Sequence, residues 1–226
     1  MRKELIKAFI KVFPNWPFIS YLGELDRILK DCRTVLDLGC GESSPVSFLP
    51  GKFNVGVDFC KETINKASLK RTHNELILSR LEDLAGLLRG RSFDSCVALD
   101  VIEHLEKEDA LSLIKEMESA ALKKVVIFTP NGFNDPYRYG NAGLEEHRSD
   151  WRVDDFAGLG YQVIGIYGHA FLRSQAHSLR FHPRFLWGII SQLTHYFYTR
   201  NHPQSAAALL CFKDMSARRV NEQKTE

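Results

Sequence analysis

The stretch Thr34-Val-Leu-Asp-Leu-Gly-Cys-Gly41 is an apolar strand that ends in an acid and two spaced glycines, and Val55-Gly-Val-Asp58 is a second strand that ends in an acid. A strand that stops at Gly-x-Gly lets the backbone turn tightly with no Cβ in the way, so a nucleotide-like ligand can lie against the main chain before the next helix starts. Asp58 follows Gly39 by about the twenty residues expected of a carboxylate that takes a ribose diol.

Details of the turn choose between nucleotides. A dinucleotide fingerprint wants Gly-x-Gly-x-x-Gly, because the pyrophosphate sits on the helix N-terminus and the helix must pack close to the strand. Here the last position is Ser44. Asp37, just before the first glycine, sets a negative charge where a pyrophosphate would lie, whereas a ligand carrying a sulfonium and an ammonium group is attracted by it. S-adenosylmethionine (SAM) fits these residues better than NAD.

Val35-Leu-Asp-Leu-Gly-Cys-Gly41 resembles the first motif of class I SAM-dependent methyltransferases, and further matches follow in order along the chain. Asp58 matches the ribose acid of that family, and Leu81-Glu-Asp-Leu84 resembles its segment after strand 3. Phe93-Asp-Ser-Cys-Val-Ala-Leu-Asp-Val-Ile-Glu-His-Leu105 resembles its strand-4 motif, and Lys124-Val-Val-Ile-Phe-Thr-Pro-Asn131 its strand 5. The likeness covers residues 30–170 and points to the small-molecule branch similar to ubiquinone O-methyltransferases. It implies a Rossmann-like, doubly wound α/β fold: a seven-stranded sheet, mostly parallel, with strand 7 antiparallel between strands 5 and 6 and helices on both faces. It also implies a cofactor site. Asp37, Gly39 and Gly41 would surround methionine and ribose, Asp58 would take the ribose hydroxyls, Glu82 would approach adenine, and Asp100 would stand near the methionine end. Two positions depart from the family. Its third glycine is Ser43 here, which can still cap a helix, and the acid that many relatives carry after strand 3 is replaced around Ser79-Arg80, which leaves Glu82 as the polar partner.

Alternation of β-branched runs with helical segments supports the same architecture. Strands are predicted near 33–38, 53–58, 75–79, 94–99, 124–129, 160–167 and 206–212, and helices near 43–49, 60–71, 82–89, 107–121 and 152–158. With 226 residues and a formal net charge of +2, the chain suits one domain that buries a core without disulfides. It divides into an N-terminal helical cap (1–30), a SAM-binding core (31–167), an aromatic lid insertion (168–204), the last strand (205–213) and a polar tail (214–226). The near-neutral balance lacks the excess of Lys and Arg that nucleic-acid binding requires. Cys32, Cys40, Cys60, Cys96 and Cys211 are odd in number and scattered, which reads as reduced thiols in a cytoplasmic protein. Lys7 and Lys11 interrupt the apolar residues of the N-terminus, so no secretory signal is expected. No stretch reaches the roughly eighteen apolar residues of a membrane span.

Four segments lie outside the minimal fold: the N-terminal helix Arg2 to Phe13, the elbow Pro14 to Pro17, the loop Gly132 to Asp150, and the excursion Gly168 to Pro203. Ligands of open α/β sheets bind at the carboxyl ends of the strands, which assigns the two long connections to substrate recognition. Methyl transfer from a sulfonium is an in-line displacement in which position matters most, and a base is needed only if the acceptor loses a proton. His104 and His147 are the candidate catalytic groups. Asp100, Glu103, His104 and His147 together are similar to the metal-binding pattern of ubiquinone-type O-methyltransferases and of terminal-ribose small-RNA 2′-O-methyltransferases, which opens the option of a divalent cation. In the excursion, residues 186, 190, 193 and 197 form an apolar helical stripe that 189 and 196 widen. It can serve as a lid over the acceptor site, a dimer interface, or a peripheral membrane contact aided by Lys3, Lys7 and Lys11. The expected activity is SAM-dependent methyl transfer to a small-molecule or lipid-like acceptor, at oxygen, by a monomer or homodimer. The rival readings are a metal-assisted RNA 2′-O-methyltransferase and a SAM-binding module without catalysis.

Overall fold

The computed structural model of the chain describes residues 20–80, 83–88, 90–132, 147–174 and 178–216. Its strands are β1 (Thr34–Leu38), β2 (Phe53–Asp58), β3 (Glu75–Leu78), β4 (Phe93–Leu99), β5 (Ala121–Pro130), β6 (Gln162–His169) and β7 (Ala206–Asp214). They pair in the order β3-β2-β1-β4-β5-β7-β6. The pairs from β3 to β5 are parallel, and β7 runs antiparallel to both β5 and β6. The strand order reverses between β1 and β4, and the crevice outside the carboxyl ends of those two strands is where this topology receives a ligand.

Helices α1 (Ser20–Ile28), α2 (Lys61–Lys70), α3 (Leu84–Leu87), α4 (Lys107–Ala120), α5 (Val153–Gly158) and α6 (Arg184–Thr194) connect or cover the strands. Side chains alternate across β1, and the two faces of the sheet carry separate cores. Leu36 and Leu38 meet Leu113, Ile114 and Met117 of α4 on one face. Val35 meets Leu25 and Ile28 of α1 on the other. The strands, buried on both sides, therefore read as continuous apolar runs. The five cysteines, Cys60 excepted, are buried, and all are free thiols.

The helix expected at 43–49 is a single 3₁₀ turn, Pro45–Phe48. Pro45 supplies the preset φ of a first helical position, but Pro50-Gly51 stops the chain one turn later. The cap is Ser44 rather than Ser43: its hydroxyl accepts a hydrogen bond from the Val46 amide at 3.2 Å. The helix expected at 82–89 is reduced to α3. β5 begins three residues earlier than expected and β6 runs on to His169. The N-terminal helix and elbow, the loop between Gly132 and His147, and the tail after Ser216 lie outside the described residues.

α6 packs on the sheet in the opposite sense to its pattern. It continues into a π-helical turn, His195–Thr199, and the side chains turned inward are Ser191, His195 and Thr199, all at most 1% exposed. Two glycines of β6 explain this. A Cβ on Gly165 would lie 2.1 Å from the Thr199 carbonyl oxygen, and one on Gly168 would lie 2.1 Å from that of Ser191. The helix backbone sits in a notch too shallow for large side chains, and the Ser191 hydroxyl donates to the Tyr167 carbonyl at 2.7 Å. The apolar stripe points outward; Phe185 is 73% and Phe197 82% exposed.

Arg200, just beyond the π turn, reaches across 176 positions of sequence to Glu24 of α1, with Nε donating to Oε1 at 2.6 Å. Burial by itself raises the Glu24 carboxyl, but the hydrogen bonds and charges of Arg200 and Arg27 outweigh it and hold the group below its usual range. A carboxylate depressed in the folded state stabilises it above the unfolded pKa of about 4.3, and that contribution is lost as pH falls through the folded value. Glu24→Gln should lower the Tm by a few degrees at neutral pH. Thermal melts across pH should show the gap to the parent closing as pH falls below the usual carboxylate range; a gap of constant size would mean that the ion pair is not its source.

Candidate active site

The site starts at the glycine turn after β1. Gly39 and Gly41 have φ of 65° and 58°, a region that side chains with a Cβ enter only with strain. At Gly39 space is also short: a Cβ would lie 2.6 Å from Val101 Cγ2. At Gly41 the space is open, with no atom within 4 Å, so a ligand can approach the main chain there. Asp58, at the end of β2, anchors this turn. One carboxylate oxygen accepts the Gly41 amide at 3.0 Å and the other accepts the Cys60 amide at 2.9 Å. Each oxygen keeps a second lone pair for a further donor.

Asp37 lies one strand over and is almost fully buried. His73 Nε2 stands 3.0 Å from its carboxylate, and His73 Nδ1 stands 2.9 Å from the Thr72 hydroxyl. The imidazole fits because Gly56, the register partner of Asp37, has no side chain: a Cβ there would come within 3.0 Å of the ring and 2.8 Å of Cys40 Sγ. Sequence reading misses His73, which sits in an unremarkable loop before β3. Its relation to Asp37 exists only once β1 and β2 are paired.

At the end of β4 the chain turns through Asp100, a non-glycine residue with φ of 57°, whose amide donates to the Phe128 carbonyl at 2.9 Å. The next turn buries Glu103. One of its oxygens accepts from the Thr129 hydroxyl at 3.1 Å, and the other is buried with no donor in hydrogen-bonding position. Burial raises the Glu103 carboxyl well above its usual range, and the charge of Asp100 adds to the effect.

A strap comes back to this turn after β5. The amides of Arg148 and Ser149 both donate to the Glu103 carbonyl, at 2.7 and 3.2 Å. The Ser149 hydroxyl donates to the Ile102 carbonyl at 3.1 Å and accepts from the Trp151 indole at 2.8 Å. Lys107 Nζ lies 3.6 Å above the Trp151 ring. So held, the strap carries His147 against His104, with ring centroids 5.0 Å apart and the rings at 72°. Glu103, His104 and His147 each offer a ligand atom within 4.8 Å of the others. Asp100, the fourth member expected from the sequence, is not in that group. Glu82 lies outside the described residues.

α1 and β6 wall the crevice with aromatics that sequence reading also misses. The Tyr21 ring packs on Phe128 at 4.4 Å and on Tyr167 at 6.0 Å. Its hydroxyl is buried without a hydrogen-bond partner. Burial raises the Tyr21 phenol, and Asp100, Tyr167, Asp37 and Glu103 add to the shift, which places the hydroxyl among the acids of both strand ends. Burial and Asp100 push the Tyr167 phenol up to about 12, and the Arg173 guanidinium lies 4.8 Å from the centre of that ring. No periodicity marks Tyr21, because the helix that carries it precedes the first motif of the sheet.

Comparison with known proteins bears on the fold. Residues 36–125 match a family model described as a methyltransferase domain. Among solved structures, the methyltransferase domain of the bacterial protein CtHen1-C is 21% identical, covering 85% of this chain and 95% of that one, with a TM-score of 0.53. A SAM-dependent methyltransferase from Archaeoglobus fulgidus is 18% identical over 94% of both chains, with a TM-score of 0.54. The plantazolicin methyltransferase BpumL, solved in complex with SAH, is 16% identical over 93% of this chain and 88% of that one, with a TM-score of 0.53. A comparison with curated proteins finds no match. At these identities the likenesses show the fold, which is that of SAM-dependent methyltransferases.

The Tyr21 hydroxyl gives a direct test of the ligand-free site. A buried hydroxyl without a partner costs about 1–3 kcal/mol. Tyr21→Phe keeps the ring contacts and removes only that group, so the ligand-free variant should melt at the same temperature as the parent or a few degrees higher. A Tm several degrees lower would show that the hydroxyl is hydrogen-bonded in the free protein.

Proposed function

We propose that this chain is a SAM-dependent methyltransferase that transfers the methyl group to a hydroxyl oxygen of a small acceptor. The observation that carries the reading is the meeting, at the carboxyl ends of β1, β2 and β4, of an open glycine turn, a ribose-type acid and a crevice lined by acids. The residues present fit the cofactor. The open side of Gly41 accepts a ligand edge against the backbone, and Asp58, already oriented by two amides, has lone pairs left for the ribose diol. Asp37, held by His73, and Asp100 give the crevice the negative potential that a cationic methionine end requires. Glu82 is proposed near adenine. SAM supplies a methyl group on a positively charged sulfur, already activated for displacement.

The protein's remaining task is to place the acceptor in line and to accept a proton. Tyr21, Phe128 and Tyr167 close one side of the crevice to water. His104 stands at its mouth, and a ring nitrogen there can take the hydroxyl proton, with His147 packed against the imidazole to fix its plane. The near-neutral overall charge favours a small-molecule acceptor over a nucleic acid.

A second reading has its own support: Glu103, His104 and His147 fit a divalent cation. Their ligand atoms lie within 4.8 Å of one another, and the buried Glu103 oxygen that lacks a donor is suited to a positive charge. A cation held there would lower the pKa of an acceptor hydroxyl.

Asp58→Ala should weaken SAM and SAH alike by about 1.5–3 kcal/mol, the worth of charge-assisted hydrogen bonds to the diol. Calorimetry reads this directly; NAD should give no heat, and SAM affinity unchanged by the substitution would remove the assignment. Turnover is best followed as SAH release from labelled SAM in metabolite extracts. His104→Ala should cut it by about a hundredfold or more while SAM affinity stays the same. EDTA should reproduce that loss, reversibly with Mg²⁺, Mn²⁺ or Zn²⁺, only under the metal reading. Full turnover in EDTA excludes the cation, and a parental rate for His104→Ala excludes the base.

A further inference from the structure

The outer face of α6 and its π turn carries Phe185, Leu186, Ile189, Leu193, Tyr196 and Phe197, between 37% and 82% exposed. Spaced by three or four residues, they form one stripe along the element. The face turned to the sheet is the polar one, with Ser191, His195 and Thr199 buried. A helix on a water-surrounded domain orients the other way, with its apolar stripe on the core. Here the β6 glycine notch takes the polar side, and among the described residues no side chain buries the stripe. A contiguous apolar patch of this kind marks a surface that meets something other than water.

The charges around the stripe select what it meets. From Phe156 to Lys213 the chain contains no Asp or Glu, while Arg173, Arg180, Arg184, Arg200 and Lys213 are basic. The chain as a whole has 30 basic and 28 acidic residues, so this segment departs sharply from the balance. Arg180 and Arg184 are exposed at the N-terminal end of the stripe. Glu24 is the acid that reaches the other end, near Tyr196, and it is occupied by Arg27 and Arg200. A second copy of the chain docked through the same face would offer the exposed Arg180 and Arg184 no acid from that segment, and Glu24 is already taken. A bilayer with anionic headgroups offers both an apolar layer for the aromatic stripe and negative charge for the arginines. No helix among the described residues is long and apolar enough to cross a membrane, so the contact is with the surface.

We propose that the α6 stripe docks this protein on the surface of a bilayer that contains anionic lipids. The proposal rests on the orientation of α6 and on the charge pattern, and it stands apart from the methyl-transfer reading. The full chain should co-sediment with vesicles of phosphatidylcholine mixed with phosphatidylglycerol, and much less with phosphatidylcholine alone. Phe185→Ser with Phe197→Ser, both at exposed positions, should reduce partitioning at least tenfold. Arg180→Glu with Arg184→Glu should remove the preference for the anionic vesicles, and added salt should mimic that change in the parent. Both variants should keep the parental Tm, and their binding of SAM, measured in the same preparations, checks the other reading separately. The proposal is overturned if the parent does not bind the anionic vesicles, or if neither pair of substitutions alters partitioning. It is also overturned if sedimentation velocity without lipid shows a dimer that the Phe185→Ser, Phe197→Ser variant dissociates while vesicle binding is absent.

Discussion

Negative charge confined at the carboxyl edge of a parallel sheet is the constraint from which the rest of this structure follows. Asp37, Asp58 and Glu103 are buried and Asp100 is exposed, all at or near the ends of β1, β2 and β4. Three of the four are accommodated in chemically different ways. Asp37 faces the His73 imidazole, Asp58 takes two backbone amides, and Glu103 accepts from the Thr129 hydroxyl while burial raises its carboxyl. Each solution shapes the chain nearby. The histidine requires a glycine on β2, the amides require the left-handed turn at Gly41, and the buried Glu103 carboxyl takes the Thr129 hydroxyl at the end of β5. Local features that look independent in the sequence share one electrostatic origin.

The fold was legible because its signals are short-range and repeated. Apolar runs with turn residues between them place all seven strands, and the Gly-Cys-Gly turn with Asp58 locates the crevice. The His104 and His147 pair was also within reach, since a loop leaving β5 must pass the end of β4. Sequence could not show what fastens that loop. Ser149 and two backbone amides fasten it, and backbone hydrogen bonds leave no trace in composition. Tyr21 and His73 were hidden for a related reason: each belongs to the site only through sheet pairing or through a helix that packs from outside the motif-bearing core.

The aromatic excursion shows the limit of periodicity. A stripe at helical spacing reveals a helix and an apolar side, and both are present. Which side meets the sheet depended on Gly165 and Gly168, two residues on a different element that admit a backbone and exclude large side chains. The inversion of α6 is thus a property of the receiving strand.

The strap between β5 and α5 has a consequence for how such a protein changes over time. His147 is followed at once by two amides hooked onto the carbonyl of Glu103, and then by Trp151 locked under Lys107. Among the described residues this grip is made by main chain and by residues downstream of His147. A change of sequence that spares Arg148 to Trp151 therefore leaves this downstream grip in place. The turn after β4 is thus clasped by a segment that carries its own fastening, so descendants of this chain that keep Ser149 and Trp151 keep that clasp whatever else in the connection drifts.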